Sequence, residues 1–170
     1  MNTLTQPLRD EHKELYPSVN HILEVADGIG IKDSRWIRQG VEEIYDFLAF
    51  HLKPHAEAEE AALYTVVQKA LGSPDATRTM SRDHVEVGRY ITELAELRSK
   101  LTSETVTSVQ AQSLRRVLYG VYALLKVHFA KEEEVYLPIL DRWLTPESAR
   151  QMFESMEAAA HQAKHAAQQK

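Results

Sequence analysis

The chain has 170 residues, 44% hydrophobic and 26% charged, which fits one soluble globular domain with a real core and excludes collagen-like and disordered classes. Twenty Lys and Arg against 25 Asp and Glu leave a net charge of -5, so nucleic acid and anionic membrane surfaces drop out of the expected partners. There is no Cys but there are eight His, so any metal must be held by imidazole and carboxylate.

The first residues show no basic segment leading into an apolar run, and no apolar stretch approaches the ~20 residues of a membrane span. The expectation is a cytoplasmic protein. Sparse Gly and Pro and few β-branched runs predict helices near 8–27, 34–71, 74–101, 109–142 and 146–166. Gly28-Ile29-Gly30, Gly72-Ser73-Pro74 and the polar segment 102–108 separate the first four. Ser73-Pro74-Asp75 and Thr145-Pro146-Glu147 each place a hydroxyl at an N-cap, Pro at the first helical position and an acid in the first turn.

Each of the first four helices carries an apolar stripe at three-and-four spacing, and ionisable residues interrupt every stripe. The stripes run Leu8, His12, Leu15, Val19, Ile22, Ala26; then Ile37, Val41, Ile44, Leu48, His51, Leu52, His55, Glu59, Leu63, Val66. The third is Met80, His84, Val87, Ile91, Leu94, Leu101, and the fourth Leu114, Val117, Val121, Leu125, His128, Glu132, Val135, Ile139. Short connections between long amphipathic helices predict an all-α fold, an antiparallel up-and-down four-helix bundle with an additional C-terminal helix. Residues 1–144 form the bundle, and 145–170 a helix and tail packed on it or on a partner through Ala149, Met152, Phe153, Met156 and Ala160. Pro17, Pro54 and Pro138 fall inside helices, where each is expected to kink its helix or end it early.

The two halves repeat. His55 follows His12 by 43 residues and His128 follows His84 by 44. Arg9-Asp10-Glu11-His12 resembles Arg82-Asp83-His84, and His55-x-x-x-Glu59-Glu60 resembles His128-x-x-x-Glu132-Glu133. Residues four apart share one helix face about 6 Å apart along the axis, so each His-x-x-x-Glu pair can reach one point, and each hairpin returns its first His to a similar depth. Two hairpins packed together collect four imidazoles and two carboxylates, a nest for two first-row metals with the Glu pair bridging and positions left for water, oxygen or peroxide. The alternative is a polar core without metal, in which six ionisable groups would be buried with imperfect partners at a cost of several kcal/mol.

This pattern resembles the hemerythrin-like, or HHE cation-binding, domain family: one His, His-x-x-x-Glu, one His, His-x-x-x-Glu, met by His12, His55/Glu59, His84 and His128/Glu132 over about 8–142. The resemblance implies a four-helix bundle holding two iron ions, oxo- or hydroxo-bridged, with bridging carboxylates. Ferritin-like bundles differ, using Glu from two helices and Glu-x-x-His from two others.

Oxygen-carrying members hold a fifth His four residues after the third-helix ligand, where this chain has Gly88. Either the site is more symmetric and open at both irons, or another His substitutes. His51, one turn before His55, is the candidate additional ligand or an outer partner, and Tyr16, one turn after His12, is the weaker one. The carriers draw one bridge from an acid five residues after its His. Glu132 is chosen here over Glu133 because it matches Glu59, leaving Glu60 and Glu133 at the edge to orient ligands or meet solvent. His21, His161 and His165 read as surface or structural residues.

Open iron positions favour chemistry over reversible carriage. The resulting expectation is a di-iron protein acting on small oxidants, through hydrogen peroxide decomposition or nitric oxide chemistry, with an unidentified electron donor and a monomeric or homodimeric state. The rivals are an oxygen- or iron-binding store or sensor without turnover, and a non-catalytic interaction bundle.

Overall fold

A computed structural model describes residues 3–101 and 105–168, so 102–104 of the third connection lie outside the described residues. Five helices account for nearly all of it: α1 (Gln6–Gly28), α2 (34–71), α3 (Arg78–Ser99), α4 (108–143) and α5 (Pro146–Gln168). α1 packs against α2 and α4, and α3 packs against the same two, which closes the four-helix bundle. α5 lies along the outside of α2 and buries Ala149, Met152 and Met156 against it. No helix among the described residues is long and apolar enough to cross a membrane.

The helix ends follow local chemistry. Asp33 caps α2 by accepting from the Trp36 N–H at 2.8 Å, and Thr107 and Gln110 form a reciprocal capping box at the start of α4. Thr145 Oγ1 accepts from the Ser148 N–H at 3.2 Å, so the second predicted hydroxyl cap does cap α5. The first one does not begin α3. Gly72 ends α2 in the left-handed conformation (φ 65°) and the Ser73 N–H closes back onto the Gln68 carbonyl. Ser73 then accepts from the Asp75 N–H within a turn, and Tyr136 Oη donates to the Ala76 carbonyl, so the helix starts only at Arg78.

Two helices are not regular α throughout. α2 contains π turns at Leu48–Leu52 and Glu59–Leu63, and α4 contains one at Glu132–Tyr136. In each, a backbone N–H reaches back five residues: Lys53 to Leu48, Tyr64 to Glu59 and Leu137 to Glu132. Pro54 and Pro138 stand two residues past the ends of two of these turns. The widened backbone gives the rings room that a regular turn would deny, so neither proline ends its helix. Pro17 likewise sits within an uninterrupted α1.

Each π turn also slips the buried face by about one residue. Val67 is buried where the α-helical spacing predicts Val66, and Tyr136, Leu137 and Leu140 replace Val135 and Ile139, with Val135 49% exposed. The interior forms two apolar clusters. One is built around Val19, Ile22, Ile44, Val87, Leu125 and Phe129, the other around Leu8, Leu63, Tyr64, Met80 and Leu137. Between them, at one level of the bundle, lies a polar layer.

Candidate metal centre

That layer contains the six residues that the repeat singles out: His12 on α1, His55 and Glu59 on α2, His84 on α3, and His128 and Glu132 on α4. His12, His55, Glu59, His128 and Glu132 are buried, and the His84 side chain is 11% exposed.

The two carboxylates each face both ways. Glu59 Oε1 lies 3.0 Å from His55 Nε2 and 3.8 Å from His12 Nε2, while its Oε2 lies 3.2 Å from His84 Nε2 and 4.0 Å from His128 Nε2. Glu132 repeats the arrangement from the opposite helix, with Oε2 at 3.4 Å from His12 and Oε1 at 3.5 Å from His128. The ligand atoms of His12, His55 and Glu59 lie within 4.8 Å of one another, as do those of Glu59, His84 and His128. Two groups that could hold a metal thus share one residue.

All four imidazoles are oriented from outside by a carboxylate at Nδ1. The Nδ1–H of His55 donates to Glu11 Oε1 at 3.0 Å and that of His128 to Asp83 Oδ2 at 3.0 Å. The Nδ1–H of His12 donates to Glu133 Oε1 at 3.2 Å and that of His84 to Glu60 Oε1 at 2.8 Å. An ionised carboxylate can only accept, so each Nδ1 carries the proton and each Nε2 is turned inward.

Inside, several polar atoms lack a partner. His12 Nε2, His55 Nε2, both Glu59 oxygens and Glu132 Oε2 are buried with no aligned hydrogen bond in the protein, the close His55–Glu59 approach included. His84 Nε2 and His128 Nε2 face each other at 3.0 Å, a contact that needs a proton or a cation between them. Orphaned nitrogen and carboxylate donors converging at one level are the donor set of a first-row metal site, and they fit a metal pair.

Without metal, protons take that place. Burial alone would lower the His55 and His128 imidazoles, but Glu59 and Glu11 hold His55 up to about 10, and Asp83, Glu132 and Glu59 hold His128 up to about 11. Burial pushes Glu59 toward its neutral form, yet His55, His12 and His128 together keep it well below the usual carboxylate range. The hydrogen bond from His55 lowers Glu11. Asp83 is lowered against its burial by His128 and Lys131. In the metal-free centre His55 and His128 are therefore held as imidazolium against ionised Glu59, Glu11 and Asp83.

The two candidate extra residues fall elsewhere. His51 is exposed and borders a surface depression with Glu14, Glu43 and Asp46, because the π turn at Leu48–Leu52 keeps it off the face that carries His55. Tyr16 meets Phe129 edge-on at 5.7 Å, under Lys126, and Phe129 in turn stacks on His12 at 4.5 Å. Tyr64, which the spacing does not single out, occupies the centre instead. Its hydroxyl donates to Glu132 Oε1 at 2.9 Å and lies 3.4 Å from both His84 Nε2 and His128 Nε2. Five residues past Glu59 it would leave that face of a regular α-helix, and the π turn at Glu59–Leu63 returns it. Burial, with Glu59 and Glu132 beside it, raises its pKa and keeps the proton on the phenol.

Toward the other apolar cluster, Leu52, Ala56, Val87, Leu125 and Phe129 enclose a small cavity against His55, Glu59, His84 and His128. It leaves about 10 Å³ for the centre of a water-sized molecule, room for one water or one diatomic ligand. A Cβ placed on Gly88 would meet nothing within 4 Å, so the position of the carriers' fifth His is open space.

Fold and centre together define a cation-binding helical bundle with a paired His/Glu site. The model of the hemerythrin HHE cation-binding domain matches residues 3–140, and the chain belongs to that family. Comparison with curated proteins and with solved structures returned no match.

Proposed function

We propose that the protein is a non-haem di-iron protein that binds and reacts with small oxidants, hydrogen peroxide or nitric oxide, in the interior of the bundle. The observation that carries this reading is the two-sided placement of Glu59 and Glu132 between two pairs of inward Nε2 atoms, with orphaned oxygens on both. His12 and His55 would hold one iron and His84 and His128 the other, with Glu59 and Glu132 lying between the two. The iron pair, when bound, supplies the electron exchange with the oxidant.

The chain's own residues do the rest. The four imidazoles and two carboxylates would fill only part of the coordination of two metals, which would leave room for a ligand. The cavity has room for a ligand of one or two heavy atoms, and Leu52, Val87, Leu125 and Phe129 give it apolar walls. Tyr64 holds a proton on Oη directed at Glu132 Oε1, which orients that carboxylate within the layer.

An oxygen- or iron-binding module without turnover is the second reading, favoured by the burial of the centre, where His84 is the most exposed of the six. Adding peroxide to the iron-loaded protein separates the two. Oxygen evolution, or nitric oxide consumption, well above that of free iron supports the first. No activity above free iron, together with a reversible oxygen spectrum, supports the second.

A further inference from the structure

Outside the inner ligands stands a second set of acids with its own symmetry. Glu11 and Asp83 each precede the first His of a half, and each accepts from the returning His of the same half: Glu11 from His55, Asp83 from His128. Glu60 and Glu133 each follow an inner Glu, and each accepts from the first His of the other half: Glu60 from His84, Glu133 from His12. Two pairs therefore close each hairpin on itself, and two stitch the hairpins together. Several members are themselves held: Ser81 Oγ donates to Glu60 Oε2 at 2.9 Å, Lys131 pairs with Asp83, and Arg9 donates to the Glu133 backbone carbonyl at 3.3 Å.

Charge adds to geometry. With Glu59 and Glu132, these acids place six carboxylates around four imidazoles, offset by Lys131 at Asp83. A carboxylate on Nδ1–H fixes the tautomer and makes the inward nitrogen a stronger donor, and surplus negative charge stabilises the more highly charged ion of a redox couple.

We propose that Glu11, Glu60, Asp83 and Glu133 are positioning residues that lock all four imidazoles with Nε2 inward and bias a bound redox-active metal pair toward its oxidised state. This rests on the two-metal reading given above.

The test uses the full chain loaded with zinc, which is diamagnetic, and separately with iron. Nitrogen-15 NMR of the zinc protein should show four slowly exchanging Nδ1–H signals from His12, His55, His84 and His128. Glu11→Gln and Glu60→Gln should each move the signal of their own partner, His55 and His84 respectively, and lower zinc affinity about 10- to 100-fold. Both should raise the iron midpoint potential. The alanine variants should lose more affinity, because glutamine still offers an accepting oxygen. Glu134→Gln, which removes the same charge from an exposed neighbour, should change none of these. Wild-type signals, affinity and potential in the Glu11 and Glu60 variants overturn the proposal, as do zinc-bound imidazoles protonated at Nε2. A wild-type chain that takes up neither zinc nor iron overturns the two-metal reading, and the outer ring with it.

Discussion

Replacing Glu59 with Gln is the substitution that best separates a shared centre from two independent ones. Glu59 lies 3.0 Å from His55 Nε2 through one oxygen and 3.2 Å from His84 Nε2 through the other, so in the proposed two-metal centre its charge would serve both positions. Each metal, at a free concentration 100 times its Kd, stabilises the fold by about 2.7 kcal/mol, and two independent metals by about 5.4. For a chain of this length each kcal/mol moves the melting temperature by roughly 2–4 °C, so full loading should raise Tm by about 11–22 °C. His128→Ala removes a ligand from one position and should keep roughly half of that rise. Glu59→Gln should lose most of it, although it keeps the side-chain volume. The assay is thermal melting of metal-free and metal-loaded protein for each variant at one free metal concentration. Comparing the increments removes any effect of the substitution on the metal-free fold. If Glu59→Gln keeps as much of the rise as His128→Ala, Glu59 does not serve both positions and the shared-centre reasoning fails.

Proton linkage follows from the raised imidazoles. Against an ordinary value of 6.5, pKa values of about 10 for His55 and about 11 for His128 mean that their stabilisation of the metal-free fold is complete below pH 6.5. It is lost as pH rises toward 10–11. Metal must displace these protons, so uptake should release protons at pH 7, which a pH indicator detects, and affinity should climb with pH; uptake without proton release would contradict this. Val87→Phe overfills the ligand cavity and should cost about 1–3 kcal/mol of stability. Metal content should persist, while azide or nitric oxide binding, read optically, should fall at least about tenfold. Undiminished ligand binding would place the exchangeable position elsewhere. Tyr64→Phe leaves Glu132 Oε1 without its donor and should destabilise the metal-free protein by about 1–3 kcal/mol in denaturant melts. An unchanged midpoint would show that this hydrogen bond carries no net stability.

The polar layer was legible because the four-residue spacing in His55/Glu59 and His128/Glu132 holds on either side of the π turns, and because His12 and His84 sit on regular helix. Glu60 and Glu133 were legible as edge acids able to orient ligands, and both accept from an imidazole Nδ1. What escaped the sequence depends on the π turns. A period of 3.6 residues carries the stripe to Val66, Val135 and Ile139 and keeps His51 on the ligand face. The i→i+5 bonds instead bury Val67, Tyr136 and Leu140, expose His51 and swing Tyr64 under Glu59. Two of the three turns do leave a trace, since Pro54 and Pro138 sit where a regular helix would resist them. The turn that delivers Tyr64 has no such mark. Glu11 and Asp83 were hidden for another reason: each lies next to a His in sequence but serves the His of the neighbouring helix, a pairing set by tertiary packing alone.

The central claim is a two-metal centre shared by Glu59 and Glu132. Its most direct test is metal analysis of the purified iron-loaded chain, with the optical spectrum recorded before and after peroxide. Two irons per chain, falling below two in Glu59→Gln, with a spectrum that peroxide alters, is the predicted result. One tightly held metal or none, with a spectrum indifferent to peroxide, would contradict it.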